Sequence, residues 1–101
     1  MQYTRLSTYD LTNGTFAELT GLVEKGLLPT FAKEPGFVDY GLCDVGNHKI
    51  VAISIWETRE AAQQSASTAA SWVKADMETR VRHLTTQVGE LALFGRVPAT
   101  V

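Results

Sequence analysis

The succession of apolar patterns along the chain predicts an α+β domain whose elements run strand, helix, strand, strand, helix, strand. Three observations carry that expectation. Residues Tyr3 to Leu11 alternate as a strand does, Thr15 and Glu18 form a capping-box pattern ahead of a helical apolar period, and an apolar run at Lys49 to Glu57 precedes a second, longer helical pattern.

In the first strand Tyr3, Arg5, Ser7, Tyr9 and Leu11 share one side, and Thr4, Leu6 and Thr8 the other. Asn13 and Gly14 end it. Phe16, Leu19, Val23 and Leu27, with Leu22 beside them, make the apolar stripe of the first helix. Pro29 disfavours helix at Leu28, so the regular helix is expected to stop near Gly26 to Leu28, with Phe31 in a last irregular turn. Pro35 and Gly36 supply a turn, and Phe37 to Cys43 reads as the second strand, with Val38, Tyr40 and Leu42 on one face. A hairpin loop is expected over Asp44 to His48.

The third strand, Lys49 to Glu57, is apolar on both faces, Val51, Ile53 and Ile55 on one and Ile50, Ala52 and Trp56 on the other, which marks it as central. Thr58 caps a second helix expected to run from Arg59 to about Leu84, with Arg80, Arg82 and His83 in its last turns, where positive charge suits the macrodipole. Gln87 to Val97 is the expected last strand. Right-handed crossovers put both helices on one face of the sheet, and each bulky apolar side chain left in water on the other forfeits about 1.5 to 3 kcal/mol. A second subunit's sheet is the expected cover.

All 101 residues are expected to form a single domain, in which about two-thirds of the unfolded surface is buried. The net charge of −2 and the scatter of nine Lys and Arg from Arg5 to Arg96 leave no basic stripe for phosphates, so nucleic acid is not an expected partner. Cys43, the only cysteine, rules out an intrachain disulfide and a multi-cysteine metal site. The N-terminal residues resemble no signal peptide and no membrane span, and a cytoplasmic, membrane-free protein is expected.

Two segments, EPGFVDYGL at Glu34 to Leu42 and IVAISIWETREAA at Ile50 to Ala62, resemble the antibiotic-biosynthesis-monooxygenase-like domains of the dimeric α+β barrel superfamily. The resemblance implies a ferredoxin-like βαββαβ fold: a four-stranded antiparallel sheet, two helices on one face, and a homodimer formed through the open face. It also implies cofactor-independent oxidation of a small aromatic or quinol-type substrate, in a pocket between sheet and helices that Trp56 would help to line. Many members of the family carry a His nine residues after the strand Trp, where this chain has Ser65. The haem-degrading branch is a poorer fit, because Asn13 lies beyond the first strand and Trp72 and His83 stand at other offsets from Trp56.

On a helical wheel Ala62, Ala66, Ala69, Val73, Met77 and Leu84 form one arc of the second helix, bordered by Ser65, Trp72, Asp76 and His83. Tyr40, Trp56, Ser65 and Trp72 are the substrate-binding candidates, and Arg80 and His83 the catalytic ones. Arg80 falls within the apolar arc, where its stem packs while its head snorkels to water or pairs with Asp76 or the other subunit, or else it clamps an anion or enolate. Trp72 reads as a packing residue or a pocket wall, and His83 as a solvated helix end or a base. His48 reads as a surface residue. Cys43 reads as a buried small hydrophobe. The small residues from Ala61 to Ser71 either permit close packing or leave space beneath the helix, and Arg5 and Tyr40 join Arg80 and His83 as possible donors or bases. No metal and no cofactor is expected. A dimer that binds a small ligand without catalysis fits the same residues.

Overall fold

The structure, a computed structural model, describes residues 1–95. Its elements are β1 (Tyr3–Leu11), α1 (Phe16–Lys25), α2 (Leu27–Ala32), β2 (Phe37–Gly46), β3 (Lys49–Trp56), α3 (Arg59–Trp72), a π-helical turn (Val73–Met77) and β4 (Val81–Glu90). The strands form one antiparallel sheet in the order β2-β3-β1-β4, so β3 and β1 are the inner strands. The helices pack on one face. This is the expected ferredoxin-like arrangement.

Both long helices begin where the sequence sets caps. Thr15 accepts from the Glu18 amide while the Glu18 carboxylate accepts from the Thr15 amide, and Thr58 accepts from the Ala61 amide. The Gly26 amide, bonded to the Leu22 carbonyl, closes α1, and the chain restarts as α2. Pro29 occupies the third residue of α2, where no intrahelical amide bond is required. Phe31 is therefore helical and fully buried, with its ring edge-on to Trp56 at 5.4 Å; Phe37 meets Trp56 at 5.3 Å. Each such ring pair contributes about 0.5 to 1.5 kcal/mol beyond the area it buries.

Three further expectations are corrected. The second strand extends to Gly46, and only Asn47 and His48 turn the hairpin, both at positive φ (53° and 58°) as a type I′ turn requires. Val38 falls in a register irregularity between Phe37 and Asp39, so Phe37 rather than Val38 joins Tyr40 and Leu42 against the core. The largest correction is at the end of α3, which stops at Trp72 rather than Leu84. There the Arg80 amide bonds to the Met77 carbonyl and the Arg80 carbonyl accepts from the amides of Thr12 and Asn13, turning the chain into β4. Val81, Thr85, Thr86 and Val88 suit a strand better than a helix. The last strand is thus Val81–Glu90, and Arg96 and Val97 lie outside the described residues.

The β1–β4 pairing shifts register between Thr8 and Tyr9: Tyr9 faces His83 and Thr8 faces Thr85, which leaves Leu84 as the extra residue of a bulge. On the face away from the helices, Asp10 of β1 receives hydrogen bonds from Lys49 of β3 and Arg82 of β4, its partners in the ladder. The Lys49 bond first, then that from Arg82, holds the Asp10 carboxyl below its ordinary value of 3.8. A depressed carboxyl pKa contributes stability above 3.8 that is lost as pH falls through the lower folded value. Asp10→Asn should therefore lower the urea midpoint at neutral pH, by a margin that closes as pH drops below 3.8. A margin that does not vary with pH would show that the Asp10 charge is not what these bonds hold.

Candidate functional site

A cleft of about 390 Å³ opens between α3 with its π-helical turn and the β1–β4 half of the sheet. The small residues of α3 do leave space, since Ala66 and Ala70 form its upper wall. Val73 and Lys74 of the π-helical turn continue that wall, and π turns often occur at functional sites. Its floor is Arg5, Tyr9, His83 and Thr86.

Arg5 is 1% exposed, and among the described residues no carboxylate pairs with it. Nε donates to Ser65 Oγ at 2.7 Å, one terminal nitrogen donates to Ser7 Oγ at 2.6 Å, and the guanidinium lies 5.6 Å from the Phe31 ring centroid. A buried charge without a counter-charge costs several kcal/mol, of which two hydroxyl bonds and a cation–π contact offset a part. The arrangement leaves a positive charge under the cleft to meet an anion. Ser65 is committed as an acceptor, because its own proton goes to the Ala62 carbonyl at 2.6 Å and only its lone pairs remain for Arg5.

The polar chain continues from Ser7 Oγ to Thr86 Oγ1 at 2.9 Å and from Thr86 Oγ1 to His83 Nε2 at 2.6 Å. The His83 ring also meets Tyr9 edge-on, with centroids 5.4 Å apart. The β4 bulge makes this chain possible. Strict alternation would put His83 and Thr86 on opposite faces, whereas the extra residue between them turns both towards the helices.

Beside the cleft, and sharing Tyr9, Val73 and Val81 with it, is a smaller apolar cavity of about 30 Å³ reached by Tyr40 and Trp72. Burial pushes the Tyr40 phenol up to about 12, against the opposing pull of the Arg5 charge, so at neutral pH Tyr40 can donate but cannot act as a base. The Trp72 indole lies against Gly26, where a Cβ would stand 2.7 Å from its Nε1; only glycine allows that approach.

Of the candidate residues, the structure brings His83 and Ser65 into one network. Tyr40 and Trp72 line the side cavity and not the cleft. Trp56 is fully buried among aromatic rings, lines neither space, and its Nε1 has no hydrogen-bond partner among the described residues. Arg80 stands outside: it pairs with Glu18 at 3.7 Å near the start of α1, not with Asp76. Cys43 is exposed rather than buried. Sequence reasoning underrated Arg5 and passed over Ser7 and Thr86. The signal for Arg5 was there, a cation on the strand side it shares with Tyr3, Tyr9 and Leu11. Among the described residues no three His, Cys, Asp or Glu side chains gather to hold a metal ion, and no helix is long and apolar enough to cross a membrane.

No family model and no curated protein matches the sequence. Solved structures do match. A variant of SnoaB, a cofactor-independent oxygenase from Streptomyces nogalater, superposes with a TM-score of 0.71 at 17% identity over 92% of this chain and 95% of that one. The chain has the fold of SnoaB. HapK from Hahella chejuensis superposes with a TM-score of 0.70 at 17% identity, over 96% and 99% of the two chains. A dimeric ferredoxin-like protein from an uncultured marine organism gives 0.69 at 15% identity, over 95% and 100%. At such identities the likeness to SnoaB is one of fold.

Proposed function

We propose that the cleft binds a small, electron-rich aromatic substrate of quinol or anthrone type and promotes its oxidation by dioxygen without a bound cofactor, in a cytoplasmic homodimer. The observation that carries this reading is the buried, carboxylate-free Arg5 guanidinium on the floor of the cleft beside His83. Removing a proton from a phenol or enol makes the ring electron-rich enough to reduce dioxygen. A fixed positive charge stabilises the oxyanion left behind. In an anthrone the ring methylene becomes a carbonyl; one oxygen atom enters the product, the other leaves as water, and the substrate supplies all the electrons. The shared fold with SnoaB, a cofactor-independent oxygenase, supports the reading.

The dimer would close over the open sheet face, where Leu6 is 37% exposed and Val51 and Ile53 are half-buried. The dimeric ferredoxin-like protein of the same fold supports this. Oxygen consumption by the purified protein with a panel of quinols and anthrones, measured against the uncatalysed rate, tests the chemistry. Uptake above background that Arg5→Gln removes is the expected result. Tight binding of panel members without any uptake would make the protein a ligand-binding module instead.

A further inference from the structure

The donor and acceptor inventory of the cleft floor assigns a direction to its hydrogen bonds. Arg5 can only donate, so Ser7 Oγ accepts from it. Ser7 and Thr86 have one hydroxyl proton each, and with His83 neutral the order that uses each proton once runs Arg5 to Ser7, Ser7 to Thr86, Thr86 to His83 Nε2. In that order Thr86 Oγ1 donates to His83, accepts from Ser7 and retains one lone pair. Thr86 lines the cleft, so that lone pair is open to a ligand hydroxyl.

We infer that Thr86 is a proton shuttle and Ser7 its positioning residue, and that the cleft takes its ligand as a neutral phenol or enol and holds it as the anion. The ligand O–H bond breaks and its proton passes to Thr86 Oγ1 as the Thr86 hydroxyl proton moves to His83 Nε2. The oxyanion stays beside Arg5 and His83 becomes an imidazolium; no electron changes hands. This rests on the oxygenase reading and deepens it by naming the residues that carry the substrate's proton, yet the proton transfer requires no oxygen and can be measured apart from it. The other titratable and charged groups around His83 are Tyr9 of β1, Lys74 and Glu78 at the cleft rim, and its strand neighbour Arg82, which bonds Asp10 on the far face. Of these Glu78 is the one competing base.

The probe is 4-nitrophenol, whose neutral and ionised forms differ in colour. Mixed with the protein at a pH below its own pKa, it should show the phenolate band, with a pKa lowered by about 1 to 3, the range expected for an acid beside a guanidinium. The ratio of ionised to neutral bound probe then rises about 10- to 1000-fold. Nitrogen NMR should show both His83 ring nitrogens protonated when the probe is bound. Thr86→Val should abolish the band, Thr86→Ser should restore it, and Glu78→Gln should leave it in place. A wild-type protein that gives no band up to the solubility limit of the probe, or a band that survives Thr86→Val, overturns the shuttle. Loss of the band in Glu78→Gln moves the base to Glu78 and overturns it equally. A phenolate band without oxygen uptake from the quinol panel retains the shuttle and sinks the oxygenase; uptake without the band does the reverse.

Discussion

Arg5→Met should cost about 10² to 10³ in kcat/KM for oxygen uptake, about 2.7 to 4 kcal/mol, while leaving the thermal midpoint unchanged or higher. The two halves of this expectation have one cause. A guanidinium 1% exposed and, among the described residues, without a carboxylate partner has lost its hydration for two hydroxyl bonds and a ring contact, so an apolar side chain of similar length removes a desolvation penalty. Neither hydroxyl acceptor is left with an unsatisfied proton, because Ser65 donates to Ala62 and, in the order inferred above, Ser7 donates to Thr86. In the proposed catalysis the balance reverses, since a unit charge 4 Å from an oxyanion contributes about 4 kcal/mol at an effective dielectric of about 20. A residue kept only for packing would give the opposite pattern, a lower midpoint with the activity per folded molecule preserved. Calorimetry and oxygen-electrode kinetics on the same preparation separate the two.

Ile53→Asp should convert the proposed dimer to monomer at micromolar concentration. Ile53 lies at the middle of inner strand β3, paired to Leu6 of β1 on one side and Gly41 of β2 on the other, on the face without helices. A carboxylate placed there is buried without a partner when a second sheet covers it, a penalty of about 3 to 5 kcal/mol, or about a hundredfold or more in the dissociation constant. In the free monomer the position is only half-buried, so the variant should still fold. Sedimentation velocity of wild type and variant is the measurement. A wild-type protein that sediments as a monomer at tens of micromolar disposes of the dimer.

The parts legible in the sequence are those that local chemistry determines. Thr15 with Glu18, and Thr58, announce helix starts because the unpaired first-turn amides need acceptors there, and β1 and β3 announce themselves by alternation. What stayed hidden depends on contacts distant in sequence. Nothing between Trp72 and Leu84 breaks a helical period; the stop comes from Thr12 and Asn13 taking the Arg80 carbonyl. With the helix end misplaced, His83 belonged on paper to a solvated helix terminus, and its meeting with Thr86 and Ser7 had no basis. Trp56 shows the converse. Its place at the end of β3 was foreseen, but whether its ring lines a space or fills one depended on Phe31, which Pro29 was expected to leave in an irregular turn and which is instead helical and sealed against it.

The extra residue in β4 bears on how a search for other chains with this site would have to be framed. His83 and Thr86 are partners at a spacing of three because Leu84 lies outside the ladder; a chain without that residue would present the same pair at a spacing of two, on a straight strand, with the same ladder partners in β1. Spacing along the chain is therefore a poor signature. What defines the pair is its position opposite Tyr9 and Ser7, and a template written in cross-strand coordinates would find both versions where one written in residue intervals would separate them.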